Sequence, residues 1–175
     1  KKADGTGGLT VPTGTGTVVT QDGSGNITVS GGLYVGGTGS ANYLNDYEEG
    51  TWTPTFGGAT TDPTVTYTDQ IGSYVKIGTF VHVAFELLPA SFSGGSGNLQ
   101  IEGLPFSSNA RAHGTVSYER FNLDGRTQSI LSINENGSVI IPLEMGDNVD
   151  VSGIDISTFV GNRKCRGSIS YMTDS

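Results

Sequence analysis

Between Gly5 and Gly39 glycine interrupts the chain every few residues, and no stretch between glycines is long enough to build a core. The runs are Leu9–Pro12, Thr17–Thr20, Asn26–Val29 and Leu33–Val35. They are separated by Gly14-Thr15-Gly16, Asp22-Gly23-Ser24-Gly25, Gly31-Gly32 and Gly36-Gly37-Thr38-Gly39. Each run holds two or three apolar side chains. Ordering one residue costs about 1–2 kcal/mol, while a buried Val or Leu contributes about 1.5–3 kcal/mol. Such a segment is either disordered or stacked on copies of itself. Thr, Val and Ile favour strands and glycine permits tight turns. Residues 1–40 are therefore read as an extended, glycine-rich β shaft in which identical chains, most simply three, wrap one another.

The remainder of the 175 residues is enough for one good core. Charged residues make up only 15% of the chain, and there are 28 glycines. This balance suits an all-β extracellular or virion protein better than a cytosolic enzyme. A net charge of −8 repels phosphate backbones, so nucleic acid is not an expected partner. No apolar run is long enough to cross a bilayer as a helix, and no signal peptide is read, so no membrane insertion is expected. Cys165 is the only cysteine, which excludes an intrachain disulfide. The Lys1-Lys2 start without Met is read as the distal part of a longer fibre.

Helical periodicity is confined to residues 41–50, where Ser40 would cap a turn or two carrying Ala41, Leu44 and Tyr47, stopped by Gly50. This is the expected junction. Residues 51–175 read as strands and turns. The expected strands are Thr51–Phe56, Thr64–Thr68, Ser73–Ile77, Thr79–Leu88, Asn98–Glu102, Thr115–Phe121, Thr127–Ile133, Ser138–Leu143, Val149–Ser152, Ile154–Val160 and Arg166–Met172. Asp124-Gly125 and Asn136-Gly137 are hairpin turns. The spacing predicts an all-β head, a β-sandwich of jelly-roll type. One face of Thr79–Leu88 carries Val81, Val83, Phe85 and Leu87 and is core. The other carries Phe80, His82, Ala84, Glu86 and Leu88, too mixed for a face left to water. A neighbouring subunit is expected to cover it, with a loop of the same chain as the alternative.

At the junction the text becomes familiar. Leu33-Tyr34-Val35-Gly36-Gly37-Thr38-Gly39, followed by Ala41-Asn42-Tyr43-Leu44-Asn45-Asp46-Tyr47-Glu48-Glu49-Gly50-Thr51-Trp52-Thr53-Pro54, resembles a segment of the tail fibres and tail spikes of tailed bacteriophages. So do Gly72-Ser73-Tyr74-Val75-Lys76-Ile77-Gly78 and Ile101-Glu102-Gly103-Leu104-Pro105-Phe106. The resemblance runs from about Leu33 to Phe106. It implies a homotrimeric distal fibre module on a virion, joined to an upstream tail-fibre or baseplate protein and engaging a bacterial surface. The matching residues resemble scaffold, not a catalytic set.

No catalytic, cofactor or metal site is expected. Asp46, Glu48 and Glu49 are too close in sequence to oppose each other across a sugar. His82 and His113 are the only histidines, and neither lies in a His-X-His pair. Asp147-Asn148-Val149-Asp150 lacks the glycine and glutamate of a calcium loop. Alternation places Cys165 with Gly167, Ile169 and Tyr171, buried and inert, despite the neighbouring cations. The expected ligand contacts lie in Tyr118–Arg126. Tyr118, Arg120, Asn122 and Arg126 combine an aromatic plane with planar donors and acceptors. The loop Ala90–Gly97, with Phe92, is the second choice.

The expected function is a non-catalytic phage tail-fibre tip binding a bacterial surface receptor, sugar or protein. A structural trimerisation or decoration module without a ligand is one alternative. A glycan depolymerase is the other.

Overall fold

The computed structural model describes residues 19–29, 33–44, 46–119, 128–146, 149–159 and 163–174. The expected runs Leu9–Pro12 and Thr17-Val18, the turn Asp124-Gly125, and Asp147-Asn148 lie outside them. The strands are β1 Val19–Gln21, β2 Ile27–Val29, β3 Leu33–Tyr34, β4 Tyr43–Leu44, β5 Tyr47–Thr51, β6 Thr55–Gly58 and β7 Thr61–Ile77. They continue as β8 Phe80–Ser96, β9 Leu99–Glu102, β10 Ala112–Glu119, β11 Gln128–Ile133, β12 Ile141–Gly146, β13 Val149–Gly153 and β14 Lys164–Met172. Two 3-10 turns, Ser40–Asn42 and Ile156–Thr158, are the only helical elements among the described residues. The molecule is all-β. It divides into two compact units, Lys1–Tyr47 and Glu48–Ser175.

The first unit contains two small antiparallel pairs. β1 and β2 are joined by a turn that Asp22 organises: its Oδ1 accepts from the backbone N–H of Ser24 and of Asn26, each at 2.9 Å. The Asn26 side chain donates to its other oxygen, and these bonds hold the Asp22 carboxyl below its usual range. β3 pairs with β4, setting Tyr34 opposite Tyr43 with ring centroids 4.9 Å apart. The turn at the junction is a single 3-10 turn with Gly39, not Ser40, at its N-cap, and Leu44 and Tyr47 lie in strands. Helix does not continue because the segment carries too few apolar residues at helical spacing to bury a face. Ile27, Leu33, Tyr34 and Val35 are all more than half exposed in the single chain. A two-stranded pair with its apolar residues in water is marginal alone.

The second unit is one eight-stranded antiparallel sheet, in the order β13-β12-β11-β10-β14-β8-β7-β5, faced by the two-stranded ribbon β6-β9. The sandwich is thus asymmetric. Thr64–Thr68 and Ser73–Ile77 are parts of a single strand, β7, because bulges around Tyr67 absorb the irregular stretch between them. Ladder bonds between Ile101 and Ile140 tie the ribbon to the sheet's far half, and Leu99 N–H donates to Ile154 O. Val81, Val83, Phe85 and Leu87 all point between the layers and are buried, as alternation requires. Leu131, Ile133, Ile169, Tyr171 and Cys165 join them from β11 and β14. Burial pushes the Cys165 thiol well up.

Two expected boundaries are corrected. The expected strand Ile154–Val160 is reduced, among its described residues, to an isolated bridge of Asp155 with Asn98, with Ile154 O accepting from Leu99 N–H and Ile156 N–H donating to Gly97 O. Beyond it Asp155 Oδ1 accepts from Ser157 N–H at 2.8 Å and caps the turn Ile156–Thr158, which ends the pairing. Ala90–Gly97 is not a free loop, since β8 continues through Ser96 against β7. At Asn136-Gly137 the turn forms one residue earlier than the dipeptide suggests. Gly137 N–H donates to Asn134 O, and Asn136 carries the positive φ of 56°.

The family-like segments meet in space as scaffold. Trp52 is buried, and its Nε1 donates to Ser73 O and Ala84 O at 3.2 and 3.3 Å. Its indole lies across Gly72, where an added Cβ would stand 2.7 Å from Nε1. Only glycine lets the backbone approach that closely.

Candidate functional site

Tyr118, the aromatic of the first-choice site, sits on the core side of β10. It pairs with Cys165 and packs against the core, and burial raises its phenol pKa strongly. It is therefore part of the interior wall and not a surface plane for a sugar. The odd–even alternation of β10 turns Glu119, not Tyr118, outward. Arg120, Asn122 and Arg126 lie outside the described residues.

The outward face of the sheet carries a charged ladder across four strands. Lys164 Nζ lies 2.5 Å from Glu86 Oε1 and 3.0 Å from Asp69 Oδ2. Arg166 Nε reaches Glu86 Oε2 at 2.6 Å, and its Nη1 reaches Glu119 Oε1 at 2.5 Å. The bonds from Lys164 and then Arg166 pull the Glu86 carboxyl down to about 2. Beyond the ladder the face is short and hydroxylic, with Ser73 opposite Ala84, Ala84 opposite Ser168, and Ser168 opposite Thr115. His82 Nδ1 shares a hydrogen bond with Ser170 Oγ at 2.9 Å. At the far end Phe80 pairs with both Ile77 and Met172, and all three are substantially exposed. The residues expected at a subunit contact, Phe80, His82 and Ala84, thus share one uncovered face of β8 within the single chain.

The second-choice region does form a concavity. Phe92, opposite Val65, belongs to an aromatic group with Phe56, Tyr67 and Phe159; its ring lies 5.5 Å from that of Phe159 and 5.7 Å from that of Phe56. Beyond it Gly94 and Gly95 both take left-handed conformations, φ 70° and 87°. Gly95 is pressed on Ile156, where a Cβ would lie 2.9 Å from Cδ1, while a Cβ on Gly94 would meet nothing within 4 Å. The strand therefore curls and leaves open backbone at Gly94. Between this curl and the turn Ile156–Thr158 is a depression of about 270 Å³, lined by Phe92, Ser93, Gly94, Gly95, Ile156, Ser157 and Phe159. Ser93 and Ser157 are exposed at its edge, Phe92 is half-buried, and Ile156 and Phe159 form the closed base.

The acidic residues of the junction do not form a facing pair. Glu48 and Glu49 are successive residues of β5 and point to opposite sides. Glu48 lies 3.9 Å from Lys76 Nζ. Sequence reasoning missed a different carboxyl, Glu102, which lies over Gly57 and whose pKa is raised by burial and by the nearby Asp62. Its position in Ile101-Glu102-Gly103 gave no sign of this, because the neighbour comes from a distant strand. Among the described residues no three His, Cys, Asp or Glu side chains gather in a metal-binding group.

No protein-family model and no curated protein matches the chain. Among solved structures it is similar to the crystal structure of Dettilon tailspike protein (gp208), with a TM-score of 0.58 and 18% identity over 73% of this chain. The match spans 24% of that protein's length. What the two share is the fold.

Proposed function

We propose that the chain is the tip module of a bacteriophage tail fibre or tail spike, a homotrimer that attaches the virion to a bacterial surface glycan without cleaving it. The observation that carries this reading is the fold shared with part of a tailspike. It joins the family-like segments, whose residues Trp52, Gly72, Lys76 and Phe106 are all scaffold. The trimer reading draws on the uncovered face at Ile77, Phe80 and Met172 and on the exposed apolar residues of the first unit. Three equivalent weak sites on one fibre give firm attachment through effective concentration. The upstream partner is a tail-fibre or baseplate protein.

Labelled protein mixed with whole host cells tests the reading. Saturable adsorption, competed by purified surface polysaccharide, is the expected result. Absence of adsorption in a correctly assembled oligomer would favour a purely structural module. A depolymerase has one observation behind it, the placement of the Glu102 carboxyl over Gly57, where burial and then the Asp62 charge favour its protonated form. Oligosaccharide release that disappears in Glu102→Gln would establish that alternative.

A further inference from the structure

We infer that the depression between Phe92 and Ser157 is the receptor subsite and that it takes one neutral sugar unit, in preference to an acidic one. This rests on the receptor-binding reading above and assigns it a place and a ligand class. A space of about 270 Å³ falls just under the range of drug-sized sites, which suits a single ring. Phe92, partly exposed in the lining, offers aromatic surface against which the apolar face of a pyranose can rest. Ser93 and Ser157 supply hydroxyls that both donate and accept, the pairing that sugar hydroxyls require. The left-handed Gly94 leaves main chain uncovered, so a ligand can approach the backbone.

The preference for a neutral sugar follows from charge. None of the lining residues is ionisable. The carboxylate adjoining the site is Asp155, exposed and held ionised by its bonds from Ser157. The whole chain carries −8. Arg163 donates to Thr158 O just outside the lining; within the lining a uronate meets no cation, and beside it stands the Asp155 carboxylate on a chain of net charge −8. A hexose meets neither penalty. The closed base of Ile156 and Phe159 holds the curl and the turn together, so the site is formed before a ligand arrives.

Saturation-transfer NMR on the whole chain tests the inference, with methyl α-glucoside, methyl α-mannoside, methyl α-galactoside and methyl glucuronoside as probes. At least one neutral glycoside should receive saturation, and the glucuronoside should bind at least tenfold more weakly. Ser93→Tyr and Ser157→Tyr, both at exposed positions, should cover the depression and abolish the signal while the circular dichroism spectrum stays unchanged. Three results would overturn the inference: no transfer to any neutral probe, undiminished transfer in both folded variants, or glucuronoside binding as tight as the best neutral probe. Cell adsorption measured on the same samples separates the two levels. Adsorption that persists in such a case moves the site elsewhere and keeps the receptor reading. Loss of adsorption by the parent protein removes both.

Discussion

The ammonium of Lys76 lies 5.5 Å from the ring centroid of Phe106, and the lysine is only 5% exposed. Glu48 Oε1 lies 3.9 Å from the same ammonium, and Tyr74 meets the same Phe106 ring edge-on. Three separate family-like segments therefore converge on one buried cation. A desolvated cation over a ring gains about 2 kcal/mol, the buried lysine stem adds packing, and Glu48, its side chain 43% exposed, stays solvated when the lysine is lost. Lys76→Ala should lower stability by about 2–4 kcal/mol, read from urea denaturation. Lys76→Met, which keeps the stem, should recover only the packing part of that loss. A Lys76→Met as stable as the parent would show that Phe106 holds the stem and not the charge.

Gly72 is set against Trp52 with no room for a methyl group. Gly72→Ala should destabilise the sheet by about 1–3 kcal/mol through overpacking and shift the emission of the only tryptophan. Trp52→Ala should cost more, about 3–5 kcal/mol. Thermal melts followed by far-ultraviolet circular dichroism rank the two. A fully stable Gly72→Ala would remove the explanation given for that part of the motif.

Phe85 is 5% exposed and Val83 fully buried in the middle of β8. Val83→Asp and Phe85→Asp should each abolish folding, because a lone charge in that layer has no partner. Soluble, dispersed NMR spectra from either variant would contradict the assigned core.

Glu86 links stability to acid. Its carboxyl is held at about 2 in the folded chain, against an ordinary value of 4.5, chiefly by Lys164 and then Arg166. A depressed folded value means that the ladder contributes fully above pH 4.5 and loses its contribution as pH falls toward 2. The melting temperature should fall through that window. Glu86→Gln should start lower at pH 7 and fall less steeply, with carboxyls elsewhere giving a shared background. Added salt should narrow the gap between them, since the pairs are partly exposed. Parallel pH profiles for the two proteins would place the linkage on other carboxyls.

The trimer proposal has its own test. Sedimentation at micromolar concentration should give three chains per particle, and Phe80→Asp or His82→Ala should shift it toward monomer while leaving each β fold intact. A compact parent monomer would end the proposal. Unchanged assembly in both variants would move the contact off this face.

Much of the second unit is legible in its residues. The alternation Val81, Val83, Phe85, Leu87 identifies a core strand because a strand of this kind has one buried side. Cys165 follows from the same period. Tyr118 was misread because aromatic and polar residues side by side look like a binding patch, while the pairing of β10 with β14, made at long range, is what turns its ring inward. The Phe92 depression was half visible. Two adjacent glycines after an aromatic mark unusual backbone, but its other wall, Ser157, comes from more than sixty residues away. The turn at Asp155 was missed because Ile154, Ile156 and Phe159 resemble a strand until the aspartate captures a backbone N–H.

Cys165 is the chain's single sulfhydryl and lies sealed at the centre of the sheet. An alkylating or chromogenic reagent therefore has one place to react, and no route to it while β14 keeps its neighbours. At reagent concentrations where labelling outpaces reclosing, the rate at which the native protein consumes such a reagent counts openings of the sheet's middle; at lower concentrations it reads the fraction of time that region is open. The protein thus carries its own clock for how often that region parts, with no probe needing to be introduced.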